Sequence, residues 1–76
     1  MANIIDEKIK IGRRAANEVL RLCRMREIDI SDFCKEIDTN YATINFWMHG
    51  SAPSAEKLAA LMRAGADLEY ILTGGY

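Results

Sequence analysis

Residues 30–50, ISDFCKEIDTNYATINFWMHG, decide how this chain folds. They describe two short helices joined by a tight turn, and the second helix has two unlike faces. At 100° per residue, Thr43, Ile44, Trp47 and Met48 fall on one side. Tyr41, Ala42, Asn45, Phe46 and His49 fall on the other. The first set suits a core. The second turns an amide, an imidazole and two aromatic rings outward.

The signals on either side extend the helical pattern. Upstream, Ala16, Val19, Leu20 and Cys23 recur at i, i+3, i+4 and i+7, which predicts a helix from about residue 6 to residue 27. Gly12 lies inside that span and leaves a break or a late start open. Asp29 stands where the second helix should be capped, with Asp32 three residues on as a relaxed capping box. Ile30, Phe33, Cys34 and Ile37 then face inward, and Asp38 suits a left-handed turn. Asn40 can cap the third helix and Gly50 can stop it. After the connector Ser51-Ala52-Pro53, Ser54 caps a fourth helix with Leu58, Leu61 and Met62 inward, closed by Gly65. Asp67 caps a short fifth helix with Leu68, Ile71 and Leu72 inward, ending at Gly74-Gly75. Five helices and no strand signal give an all-α fold, one domain over residues 1–76, with the helix–turn–helix at about 29–50.

Size limits what such a fold can do. A chain of 76 residues buries only roughly 60% of its unfolded surface. That leaves room for a compact core and little for a deep active-site cavity. No run approaches the roughly 18 apolar residues of a membrane span, and the start MANIIDEKIK has no signal-peptide core. A cytoplasmic protein with no membrane partner is expected.

The charge is small in sum and uneven in place. The formal net charge is −1, so there is no global basic footprint. Residues 1–28 nevertheless carry seven cations (Lys8, Lys10, Arg13, Arg14, Arg21, Arg24 and Arg26) against four acids. Residues 29–50 carry Lys35 against Asp29, Asp32, Glu36 and Asp38. Attraction to a polyanion must come mainly from the first helix.

Catalytic and metal chemistry find little support. Cys23 and Cys34 lie on apolar stripes and read as small buried core residues. With His49, the only histidine, they make neither a C-x-x-C nor an H-x-x-x-H spacing. No metal and no cofactor are expected. No Gly-rich phosphate loop or nucleophile elbow occurs, and the carboxylates are spread over caps and solvated faces. An enzyme is the weakest reading.

Three features together resemble a known family: T-I-x-x-W-x-x-G in the third helix, P-S at the start of the fourth, and Y-I-L-T-G near the end. They are similar to the Cro/cI-type, lambda-repressor-like helix-turn-helix regulators, over roughly residues 11–74. The resemblance implies a five-helix DNA-binding domain of phage or bacterial type. It implies a repressor that binds a partly palindromic double-stranded operator as a homodimer, with the third helix in the major groove and half-sites about 34 Å apart. Base reading then falls on Tyr41, Ala42, Asn45, Phe46 and His49, the same five that the helical wheel turns outward. Backbone contacts fall on Ser31, Lys35, Asn40, Thr43 and Ser51.

Departures from the family pattern are equally specific. Its frequent Gln at the start of the second helix is Ile30 here, and its frequent turn Gly is Asp38. The Arg–Glu pair of many members falls on Cys23 and Met48, which predicts an apolar replacement of both partners rather than one stranded charge. The ending Gly74-Gly75-Tyr76 resembles the place where family members run on into a linker, so the DNA-binding half of a longer repressor is a second expectation.

Single side chains keep more than one reading. Asn45 can offer a donor and an acceptor to adenine, and Phe46 can lie against a thymine methyl. Phe46 can equally be buried by the fourth helix or by another subunit. Tyr41 can reach a phosphate or base edge, or pack over the turn. His49 can complement the helix dipole or touch DNA. Leu68, Tyr70, Ile71 and Tyr76 offer apolar surface for a dimer contact. The rival reading is a protein-interaction module on the same fold, binding an antirepressor- or toxin-type partner through the uncharged third helix.

Overall fold

The computed structural model describes residues 4–74. Its longest element is α1 (Ile4–Arg26), about 35 Å at 1.5 Å per residue. It runs along a body of 39 × 26 × 19 Å. Four shorter helices follow: α2 (Ile30–Glu36), α3 (Tyr41–Met48), α4 (Ala55–Arg63) and α5 (Leu68–Thr73). Helices α2, α3 and α5 pack on α1, and α4 joins through α5. The all-α, five-helix expectation holds, with no strand among the described residues. Within them no helix is long and apolar enough to cross a membrane.

One apolar core joins all five helices. From α1 it takes Ala15, Ala16, Val19, Leu22 and Cys23, and from α2 and the residue after it Phe33, Cys34 and Ile37. Ile44 and Trp47 of α3, Leu61 of α4, Ala66 and Ile71 complete it. The α1 stripe is centred on Val19, so Leu20, one residue and 100° further round, stays 38% exposed against expectation. Leu22 and Ala15 hold the places assigned to it. Met62 and Leu72, also expected inward, are exposed at 52% and 40%. In α4 and α5 one residue each is fully buried, Leu61 and Ile71.

The helix ends follow the sequence signals in all but one case. Asn40 Oδ1 accepts from the Thr43 N–H at 2.9 Å, and Ser54 Oγ accepts from the Lys57 N–H at 3.3 Å. Asp67 Oδ1 accepts from the Tyr70 N–H at 3.0 Å. Asp29 is the N-cap of α2, but its carboxylate makes no cap bond. Asp32, at the reciprocal position, is one methylene shorter than the Glu that closes a capping box. Asp38 takes the left-handed conformation (φ 56°), and the Thr39 N–H returns to the Cys34 carbonyl at 2.8 Å. This is the turn between α2 and α3.

Gly12 does not break α1. The helix runs unbroken through it because α1 crosses the end of α3 at backbone contact. A Cβ at Gly12 would stand 2.0 Å from the Ser51 carbonyl oxygen and 2.5 Å from that of Trp47. Only a residue without a side chain permits this crossing.

A buried acid ties α1 to α5. Glu18 is 4% exposed. Its carboxylate takes two bonds from the Arg21 guanidinium, 2.7 and 2.9 Å, and one from the Asp67 N–H, 2.7 Å. The Arg21 contact lowers its pKa below the ordinary carboxylate value, burial opposes that shift, and the Asp67 amide assists it. A depressed folded-state pKa stabilises the fold above the unfolded value of about 4.3, and that stabilisation is lost as pH falls through the folded value. Denaturant titrations from about pH 6 to pH 3 are expected to show falling stability, with a shallower acid limb in Glu18→Gln.

Candidate nucleic-acid interface

The outward face of α3 results from how the helix is held. Ile44 and Trp47, 0% and 2% exposed, pin it to the core. Asn40 caps its start, and at its end Gly50 (φ 124°) lets the Ser51 N–H return to the Phe46 carbonyl at 2.9 Å. Tyr41, Ala42, Asn45, Phe46 and His49 are all exposed, Tyr41 at 56% and Phe46 at 62%. Phe46 is therefore not buried by α4. Met48, placed with the core set, sits at its edge at 36% exposure.

The five backbone-contact candidates divide into two kinds. Ser31, Lys35 and Ser51 are exposed. Asn40 and Thr43 are engaged with each other: beside the cap bond, Thr43 Oγ1 donates to Asn40 Oδ1 at 3.2 Å. Asn40 retains its amide NH2 for another acceptor.

Four of the ten cations have structural partners. Arg14 Nε donates to the Ile71 carbonyl at 2.9 Å and so closes the end of α5. Arg21 holds Glu18. Arg26 makes a two-pronged pair with Glu36, 2.7 and 2.9 Å, and lies 5.8 Å from the centre of the Phe33 ring. That pair lowers the Glu36 pKa and raises that of Arg26. Lys57, from the first turn of α4, donates its Nζ to the Ile37 carbonyl at 3.2 Å and to that of Asp38. It thus braces the α2–α3 turn, supplying charge where that turn leaves carbonyls over.

Sequence reasoning assigned Lys57 no role. Nothing in one sequence separates it from a solvated lysine, since its acceptors are main-chain atoms about twenty residues earlier. Lys8, Lys10, Arg13, Arg24, Lys35 and Arg63 make no ion pair among the described residues. Lys8 and Arg13 lie one turn before and one residue after Gly12, where α1 meets Ser51. Lys8, Arg13 and Lys35 are all exposed.

The expected dimer residues need one correction. Ile71 is 0% exposed in the core of its own chain and has no surface to offer a second copy. Leu68 and Tyr70 are half-buried, and the Tyr70 hydroxyl accepts from Asn17 Nδ2 at 3.4 Å. Tyr76 lies outside the described residues. A concavity of about 530 Å³ between α1 and the start of α5 is lined by Asn17, Glu18, Arg21, Arg24, Asp67 and Tyr70. Most of its polar groups are bonded to one another, as the Glu18 and Asn17 contacts show.

Cys23 and Cys34 are buried free thiols, and burial raises the pKa of each. Among the described residues no three His, Cys, Asp or Glu side chains converge as metal ligands would. Comparison with protein families, with curated proteins and with solved structures finds no match to this chain.

Proposed function

We propose that this protein is a sequence-specific DNA-binding transcription regulator of the Cro/cI type, acting in the cytoplasm as a repressor. In this reading α2, the turn and α3 form the helix-turn-helix, and α3 enters the major groove while α2 lies across the backbone. Asn45 and Phe46, with Ala42, Tyr41 and His49, face the base edges. Lys35, Ser31, Ser51 and the Asn40 amide meet phosphates, and Lys8 and Arg13 add attraction beside Ser51. The protein binds a two-fold operator as a homodimer, with contacts from the exposed parts of Leu68 and Tyr70.

The observation that carries this reading is the exposed, chemically mixed face of a helix anchored by two buried residues. At eight residues α3 is about 12 Å long, close to the width of the major groove. The weak net charge is consistent with it because the cations without an ion pair lie on α1, α2 and α4 rather than on α3. No metal, cofactor or catalytic step is part of the proposal.

A second reading has its own support. Tyr41 and Phe46 are both exposed aromatic side chains, and α3 carries no charge. Those features suit an apolar protein partner. Salt separates the two, because phosphate contacts release counterions and weaken steeply with salt. Fluorescence anisotropy with duplex DNA over a salt series is expected to give a steep slope. Lys35→Ala should weaken binding to all sequences alike and shallow that slope by about one. A flat salt response would favour the protein partner instead.

A further inference from the structure

We infer that the outward face of α3 recognises A·T base pairs, Asn45 reading adenine while Phe46 holds the C5-methyl group of a neighbouring thymine. This rests on the DNA-binding reading and adds to it the class of base pair. Helix α3 contains no Lys or Arg, so it cannot grip guanine O6 and N7 in the commonest specific contact. It contains no Asp or Glu either, so the carboxylate contact to the cytosine amino group is absent as well.

Among its polar side chains, Thr43 is half-buried and bonded to Asn40. Asn45 is exposed, and among the described residues its amide has no hydrogen-bond partner. A primary amide offers one donor and one acceptor side by side, the complement of adenine N7 and N6.

Phe46 follows directly on the helix and is 62% exposed, so the chain's own core does not claim it. The thymine methyl is the one apolar group on the major-groove edges of the bases. At 100° per residue, Ala42 lies one turn earlier and between the two side chains. It is exposed and ends at Cβ, so the helix backbone can approach the base edges there. Asn45 and Phe46 therefore straddle one line along the helix and address adjacent base pairs, both of the A·T class.

Modified bases test each half separately. A duplex selected by the protein from a random pool is resynthesised with each thymine changed in turn to deoxyuridine, which removes only the methyl group. One thymine per half-site is expected to show a loss of about fourfold in affinity, the worth of one buried methyl. Phe46→Ala should bind both duplexes equally, and its exposure means that it folds. At the same position 5-methylcytosine should bind better than cytosine. Replacing the neighbouring adenine by 7-deazaadenine should weaken the native protein but not Asn45→Ala. Specific binding with a G·C-centred site, or with no sensitivity to any thymine methyl, overturns this inference and leaves the DNA-binding reading standing. Failure to select any duplex overturns both.

Discussion

Trp47→Ala is expected to cost about 3–5 kcal/mol, the range for removing a fully buried large aromatic side chain. Trp47 is 2% exposed, and with Ile44 it is one of only two residues that bury α3 in the core. A helix of eight residues has no stability of its own in water. Its position depends on those two anchors, and the substitution removes the larger. A domain of this size typically has 5–15 kcal/mol in all. At about 4–8 °C per kcal/mol, the melting temperature should fall by roughly 12–40 °C. Thermal unfolding followed by circular dichroism checks this, and a near-native transition would show that Trp47 is not the anchor. If α3 binds DNA, its binding should fail together with the fold.

Gly12→Ala should destabilise by about 3 kcal/mol, the upper part of the range for overpacking a tight site. Helix propensity alone predicts the reverse, since Ala is better than Gly inside a helix by about 1 kcal/mol. Space decides the sign. The added methyl would stand 2.0 Å from the Ser51 carbonyl oxygen and 2.5 Å from that of Trp47. Both are main-chain atoms, so neither can swing aside as a flexible side chain would. Relief requires moving α1 away from α3, the most extensive helix pair of the fold. Urea denaturation measures the difference directly. A neutral or stabilising result would mean that the two helices do not cross at backbone contact.

Both substitutions bear on what one sequence could show. The faces of α3 were legible because local periodicity alone determines which residues share a side. Ile44 and Trp47 are buried, and the five outward residues are exposed. Caps at Asn40, Ser54 and Asp67 were legible for the same local reason, as was the left-handed turn at Asp38. Gly12 is ambiguous in the sequence because a helix-breaking signal and a close-packing requirement look alike until the opposing backbone is seen. Leu20 fits an inward stripe because two stripes on α1 share Ala16, Val19 and Cys23, and only the positions of α2, α3 and α5 choose between them. Ile71 reads as available for a dimer contact because a short apolar end looks surplus in sequence, whereas Leu61 and Ala66 share its core. Lys57 carries no sequence signal because its partners are carbonyls remote in sequence. Long-range packing, rather than local pattern, separates these cases from the others.

Selection of binders for the purified protein from a random duplex DNA pool at two salt concentrations decides whether α3 reads DNA. A partly palindromic motif with half-sites about one helical turn apart, weakened at the higher salt, is expected. With Asn45→Ala the preference should relax at one base pair of each half-site while the fold is retained, since an exposed Asn contributes nothing to the core. No enrichment at either salt by a folded protein would mean that α3 is not a DNA-reading helix.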